Sequence, residues 1–234
     1  MELYYNIAGL NVRMESFGRT VRQAEPYRIN PTEHIDIQIH SIWPEKKLIY
    51  PEMPDDLGEY MATGIDFYKK LLFFTGMQVH SSAVVVDGRA YLFSADPGTG
   101  KSTHTSLWLE RFGDRAFILN DDKPALRFEN GQWMAYGTPW SGKDDISVNV
   151  GAPLAGIAML HRGEKNEITP WSGPEALQAL LKQINRPRET EYRIKLLENM
   201  DLLVRKVPIW KLTCNMSHDA VKVSFEAMSG HSID

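Results

Sequence analysis

Apolar residues recur along the chain in two rhythms, one of period two and one of period three to four. Residues 34–40 alternate strictly, with Ile35, Ile37 and Ile39 on one face and His34, Asp36, Gln38 and His40 on the other, which predicts a half-buried strand with a solvated polar face. Residues 4–15 alternate more loosely and extend a β-rich lead-in over 1–54. Helical spacing then takes over in residues 55–74, with Leu57, Met61, Ile65, Tyr68, Leu71 and Leu72 forming the expected apolar face and Thr75-Gly76 a stop signal.

Strands 79–86 and Arg89–Ser94 flank Asp87-Gly88, and Ala125–Glu129 and Gln132–Tyr136 flank Asn130-Gly131. Both dipeptides suit the left-handed central positions of tight hairpins. Between the hairpins lie a helix-like run over residues 103–112, ending near Gly113, and the short apolar strand 116–119, which runs into Asn120, Asp121 and Asp122. Further on, the pattern predicts a strand at 154–160, a helix to about Ile184 capped by Ser172 and Glu175, a second helix over 191–207, the strand Ile209–Cys214 and a last helix over 217–230. Arg186-Pro-Arg188 reads as an interhelical turn, and Arg193, Lys195, Arg205 and Lys206 as solvated helix faces.

Strands mixed with helices make this an α/β protein, and 234 residues without repeats or a linker make one domain: a lead-in (1–54), a central core (55–166) and an α-rich C-terminal part (167–234). Net charge of -4 without a Lys/Arg cluster argues against a nucleic-acid partner. No signal-peptide pattern and no apolar run of membrane-spanning length occurs, so the chain is expected to be soluble and cytoplasmic, with no membrane partner. A lone Cys214 leaves no intrachain disulfide and no Cys-rich zinc site, and reads as a small buried apolar residue.

Candidate chemistry centres on Ala95-Asp-Pro-Gly-Thr-Gly-Lys-Ser-Thr103, placed between a strand and a helix. This is the relaxed phosphate-loop pattern, with Ala95 where the strict form has glycine. Pro97, Gly98, Thr99, Gly100, Lys101, Ser102 and Thr103 would hold a nucleotide, ATP being the expected one. Small residues let the backbone N–H groups turn toward phosphate oxygens, and the helix starting at Lys101 presents its positive end. Lys101 would reach the β and γ phosphates, while the Ser102 hydroxyl would ligate Mg²⁺. Asp121 and Asp122, adjacent at a strand end, point in different directions, so one would hold the metal and the other act as general base; the spacing leaves open which. The loop 137–143 would line the acceptor side, with Trp140 packing on substrate and Lys143 offsetting phosphate charge, or else Trp140 anchors a surface loop and Lys143 is solvated. Arg162 would approach the phosphates or simply end its strand as a charged turn residue.

His80-Ser-Ser-Ala83, the Pro97–Thr103 loop and Asn120-Asp-Asp122, in that order, resemble the nucleotide core of HPr serine kinase and phosphoenolpyruvate carboxykinase. The resemblance spans about a fifth of the chain. It implies a core of mixed, largely antiparallel sheets with flanking helices, an active-site role for His80, and possible assembly as a homo-oligomer. The segment Ala135-Tyr-Gly-Thr-Pro-Trp-Ser-Gly142 lacks the metal-binding Glu of HPr kinases, so the chain is more similar to small HPr-kinase-related enzymes. The expected reaction is therefore ATP- and Mg²⁺-dependent phosphorylation of a hydroxyl, on a peptide or protein serine or on a small molecule. A nucleotide-binding regulator without turnover is the alternative. A GTPase is disfavoured because no Asn-Lys-x-Asp occurs.

Overall fold

A computed structural model describes residues 2–233. In chain order the elements are β1 (Glu2–Ile7), β2 (Leu10–Glu15), α1 (Gly18–Ala24), β3 (Ile37–His40), α2 (Trp43–Lys47), α3 (Asp55–Leu71), β4 (Gly76–Gln78), β5 (Ser81–Val86) and β6 (Arg89–Ser94). They continue as α4 (Lys101–Phe112), β7 (Ala116–Asp122), β8 (Ala125–Glu129), β9 (Gln132–Tyr136), β10 (Gly151–Arg162), β11 (Glu167–Pro170), α5 (Gly173–Lys182), α6 (Thr190–Lys206), β12 (Ile209–Cys214) and α7 (His218–Ser229).

The architecture is mixed α/β: a curled, mixed sheet of nine strands carries helices on its faces, and a three-stranded sheet β1-β2-β3 packs beside it. The path of the large sheet runs β4-β8-β9-β10-β6-β5-β7, with β12 also on β10 and β11 on β12. Most pairs are antiparallel. The exceptions in the large sheet are β10 with β6 and β10 with β12. Strand β10 is the seam: its first residues pair antiparallel with β9, and its remainder runs between β6 and β12.

Both hairpin signals hold, because the turn residues adopt the left-handed conformation those turns require: Asp87 (φ 49°) with Gly88 (φ 76°), and Asn130 (φ 50°) with Gly131 (φ 83°). Several expectations need correction. The loose alternation of residues 4–15 is that of a hairpin, turning at Ala8 (φ 53°) and Gly9 (φ 73°). Helices α1 and α2 interrupt the lead-in, and β11, short and mostly exposed, had no recognisable alternation. Ser172 precedes α5 but makes no side-chain capping bond. The expected strand at 154–160 is only the middle of the twelve-residue β10.

The buried face of α3 differs most. Of the expected face, Tyr68, Leu71 and Leu72 are buried, but Leu57, Met61 and Ile65 are exposed, and the helix buries Tyr60, Thr63, Gly64 and Phe67 in their place. A close approach dictates this rotation: a Cβ on Gly64 would lie 2.8 Å from Cδ1 of Trp140, so the indole reaches the helix only where a side chain is missing. Phe67 stacks on that indole with ring centroids 4.9 Å apart, and Tyr68 meets it edge-on at 5.7 Å. The resulting core joins β1, β2 and β3 to Ala125 and Trp140, so the lead-in shares its interior with the central part of the chain.

Candidate functional site

Strand β6 ends at buried Ser94 and Ala95, and the chain then turns through an exposed Asp96-Pro97-Gly98 segment into α4. Gly98 (φ 77°) and Gly100 (φ 115°) take conformations that a side chain disfavours, which explains why glycines stand at these two places. No side chain caps the start of α4, so its first N–H groups remain open to an anion. Lys101 turns back over the loop, its Nζ donating to the Ala95 carbonyl at 3.0 Å. Burial lowers its pKa, partly offset by the nearby charges of Asp122, Asp121 and Asp96. Thr103 is exposed on the first turn of α4.

On one flank, β5 and β7 bring the other motifs to the loop. Their register sets Ser81 opposite Asp122 and Ser82 opposite Asp121. Ser102 Oγ donates to the Asp121 carboxylate at 3.0 Å. His80, immediately before β5, lies with Nε2 2.8 Å from Asp122 Oδ1, and Lys123 binds the other oxygen. Burial alone would raise the Asp122 carboxyl, but hydrogen bonds and charge from His80 and Lys123 prevail and hold it at about 2. The two carboxylates therefore diverge, as strand alternation requires: Asp121 faces the Ser102 hydroxyl and Asp122 the imidazole. Asp122 also carries φ 138°, a strained conformation for a residue with a side chain.

Buried polar residues hold this tip in place. Asn120 Oδ1 accepts the Lys123 N–H at 2.7 Å, and its Nδ2 donates toward Thr138 and Ser147. Gln183, beyond α5, accepts the His80 N–H at 2.7 Å through its carbonyl, and its side chain reaches Asp96 at 3.4 Å. Sequence reasoning missed Gln183, and Arg19 with it. The Arg19 guanidinium lies 4.2 Å from the Tyr60 ring centroid and donates to the Gly142 carbonyl and to Asp145. Gly142 in turn abuts the acidic tip, since a Cβ there would sit 2.9 Å from the Asp121 carbonyl oxygen and 3.0 Å from the Asp122 Cβ. Neither residue has a spacing signal, because their partners come from distant segments.

Among the remaining candidates, Arg162 joins the site: its Nε donates to the Thr99 carbonyl at 3.1 Å and its Nη2 to that of Gly98. Lys143 is exposed, one residue beyond Gly142. Trp140 is fully buried, its Nε1 donating to Thr63 Oγ1, so the expectation that it packs on substrate fails: stacking on Phe67 leaves the indole no free face. Cys214 is buried as expected, and burial pushes its thiol up to about 11.

The arrangement offers an anion cradle, the Lys101 ammonium over it, and a hydroxyl beside a carboxylate. Such hard oxygen donors suit Mg²⁺, which is commonly held by one or two protein oxygens together with substrate phosphates. Among the described residues, no helix is long and apolar enough to cross a membrane.

No curated protein matches the chain. A solved structure, the HPr(Ser) kinase/phosphatase from Coxiella burnetii, is similar at 17% identity with a TM-score of 0.37, over 66% of this chain and 94% of that one. The model of one protein family, described as SynChlorMet cassette protein ScmC, matches residues 59–221, which include the loop, the acidic tip and the strands that carry them. With well over half of its length matched in this way, the chain belongs to the ScmC family.

Proposed function

We propose that this protein is an ATP- and Mg²⁺-dependent kinase that phosphorylates a hydroxyl, on a peptide serine or a small molecule. One observation carries the reading: residues from three separated segments converge, with Ser102 hydrogen-bonded to Asp121 and His80 paired with Asp122 beside the same loop. Phosphoryl transfer needs little covalent chemistry from a protein and much positioning of charge. The amides of Gly98 and Gly100 and the start of α4 would bind the phosphates, and Lys101 would swing from the Ala95 carbonyl to the β and γ oxygens. Ser102 and Asp121 would hold Mg²⁺, which when bound neutralises developing charge on the phosphate oxygens.

The acceptor oxygen would form a bond to the γ phosphorus as the bond to the β–γ bridging oxygen breaks, and ADP would leave with that electron pair. The acceptor's proton would pass to the His80–Asp122 pair. Asp122 Oδ1 orients the imidazole through Nε2, which leaves Nδ1 to receive a proton. The strain at Asp122 fits a residue held for chemistry.

A nucleotide-binding regulator without turnover draws support from the same pair, because a carboxylate already hydrogen-bonded to His80 and ion-paired with Lys123 is a weak base. Incubation with Mg²⁺ and ATP labelled at the γ phosphate, against serine peptides and small alcohols, distinguishes the two. Transfer that disappears in Lys101→Ala and in His80→Ala supports the kinase. Tight ATP binding with no transfer or hydrolysis, unaltered by His80→Ala, favours the regulator.

A further inference from the structure

The order of strands fixes the direction in which an extended nucleotide can lie. From β6, which carries the loop, the sheet continues on one side to β5 and β7 with His80, Asp121 and Asp122, and on the other to β10 and β12. The reacting phosphate belongs with the acidic tip. The nucleoside must therefore leave on the opposite flank.

A cavity of about 310 Å³ lies there, between α4 and the ends of β10 and β12, and it opens directly onto Thr99 and Gly100. That volume is at the lower end of the roughly 300–1,000 Å³ of small-molecule sites. Leu107, Leu160 and Met216 give it apolar walls. Met216, 60% exposed, leans over the loop, its Cε 3.3 Å from the place of a Cβ on Gly100. The outer wall is braced: Asn215 N donates to Asn166 Oδ1 at 2.9 Å, and Asn215 Nδ2 to the Glu164 carbonyl at 3.0 Å.

His104 supplies a second, independent sign of a ligand. It lines the cavity and is 3% exposed. The Trp108 indole N–H donates to His104 Nε2 at 3.2 Å, and an indole nitrogen can only donate, so in the neutral ring the proton sits on Nδ1. Burial drops the pKa of this imidazole to about 4, so the neutral ring is the form present. Nδ1 is buried and has no protein partner among the described residues. A buried donor left without an acceptor is costly, and a ligand acceptor would remove the cost.

We infer that this cavity takes the purine ring of the nucleotide whose phosphates the loop holds, stacked between Leu107, Leu160 and Met216, with a ring nitrogen or ribose oxygen accepting from His104 Nδ1. This inference rests on the reading of the loop as a phosphate site. The Arg162 guanidinium, bonded to the Gly98 and Thr99 carbonyls, stands at the passage between phosphates and base.

Calorimetric titration with Mg²⁺-ATP and with Mg²⁺-tripolyphosphate tests it. In the unmodified protein ATP should bind about tenfold or more tighter than tripolyphosphate, the ratio expected from one desolvated hydrogen bond with its packing. Met216→Trp, which fills an exposed position and should leave folding intact, and His104→Phe should each bring ATP down toward tripolyphosphate and leave tripolyphosphate itself within about twofold. Equal binding of the two ligands by the unmodified protein, or ATP affinity untouched by Met216→Trp, overturns the base pocket while the phosphate loop stands. Binding of neither ligand overturns both.

Discussion

The loop flank of β5 and β7 and the layer around Trp140 are built on opposite terms, although they touch. Around the loop, Gly98, Gly100 and Asp122 sit at positive φ, and charged groups are half-exposed and paired with one another. Around Trp140, aromatic rings stack out of water, and the polar groups make neutral hydrogen bonds such as Tyr60 Oη accepting from Ser141 N at 2.7 Å. The first region keeps strain and charge that a ligand would use, and the second supplies the packing that holds them still. They meet at residues 141–142, where Tyr60 and Arg19 grip the segment that abuts the acidic tip. Rigidity of the carboxylates is thus borrowed from a core with no chemistry of its own.

If this division holds, substitutions should separate activity from stability. The largest effect is expected for Lys101→Ala, which should reduce phosphoryl transfer by at least about 10²-fold, a typical loss when one charge-stabilising group is removed. Its unfolding free energy should stay within about 0.5 kcal/mol of the parent, measured by urea titration. Trp140→Ala should do the reverse, costing about 3–5 kcal/mol of stability while the folded fraction still transfers phosphate with unchanged KM. A changed KM with unchanged stability would break the comparison.

A third substitution probes a carboxyl group buried in the quiet region, Glu59. Glu59 is fully buried, its carboxyl accepting from the Thr20 hydroxyl and the Phe17 N–H, and burial raises it from 4.5 to about 7. Because the folded state holds this proton more tightly than the unfolded chain, its stabilising contribution is present below pH 4.5 and is lost as pH rises to about 7. Glu59→Gln should therefore flatten that window and stabilise the protein above pH 7 by up to about 3 kcal/mol, read from unfolding curves at several pH values. Asp122 gives the opposite sign and a smaller effect. Its carboxyl is lowered from 3.8 to about 2, so its contribution, present above pH 3.8, is lost as pH falls toward 2. Acid titration should show a loss of about 2 kcal/mol there that Asp122→Asn lacks.

Much of the loop flank was legible because its signals are local. Asp87-Gly88 and Asn130-Gly131 dictate turns through the conformations of two residues, and the run from Ala95 to Thr103 carries its strand, loop and helix context within a few residues. An active-site place for His80 was implied only by the resemblance its motifs carry, and that it meets Asp122 rather than Asp121, at 2.8 Å, was decided by the fold. Trp140 was misread because a tryptophan in a Gly/Pro loop looks like a surface anchor or substrate platform, and only the gap at Gly64, distant in sequence, shows where the ring goes. The apolar stripe of Leu57, Met61 and Ile65 misled for the same reason: helical spacing marks an amphipathic face, but the partner decides which face is covered.

What the amino-acid order determined by itself was the set of short-range structures: turns, the start of α4, the strands beside it and the identity of the groups at its mouth. Tertiary structure alone decided which face of α3 is inside, that β10 joins two parts of one sheet, and that Arg19 and Gln183 reach the site. The reason is one of range: backbone conformation answers to neighbours a few residues away, whereas burial and the pairing of charges are settled between segments that meet only once the chain has folded.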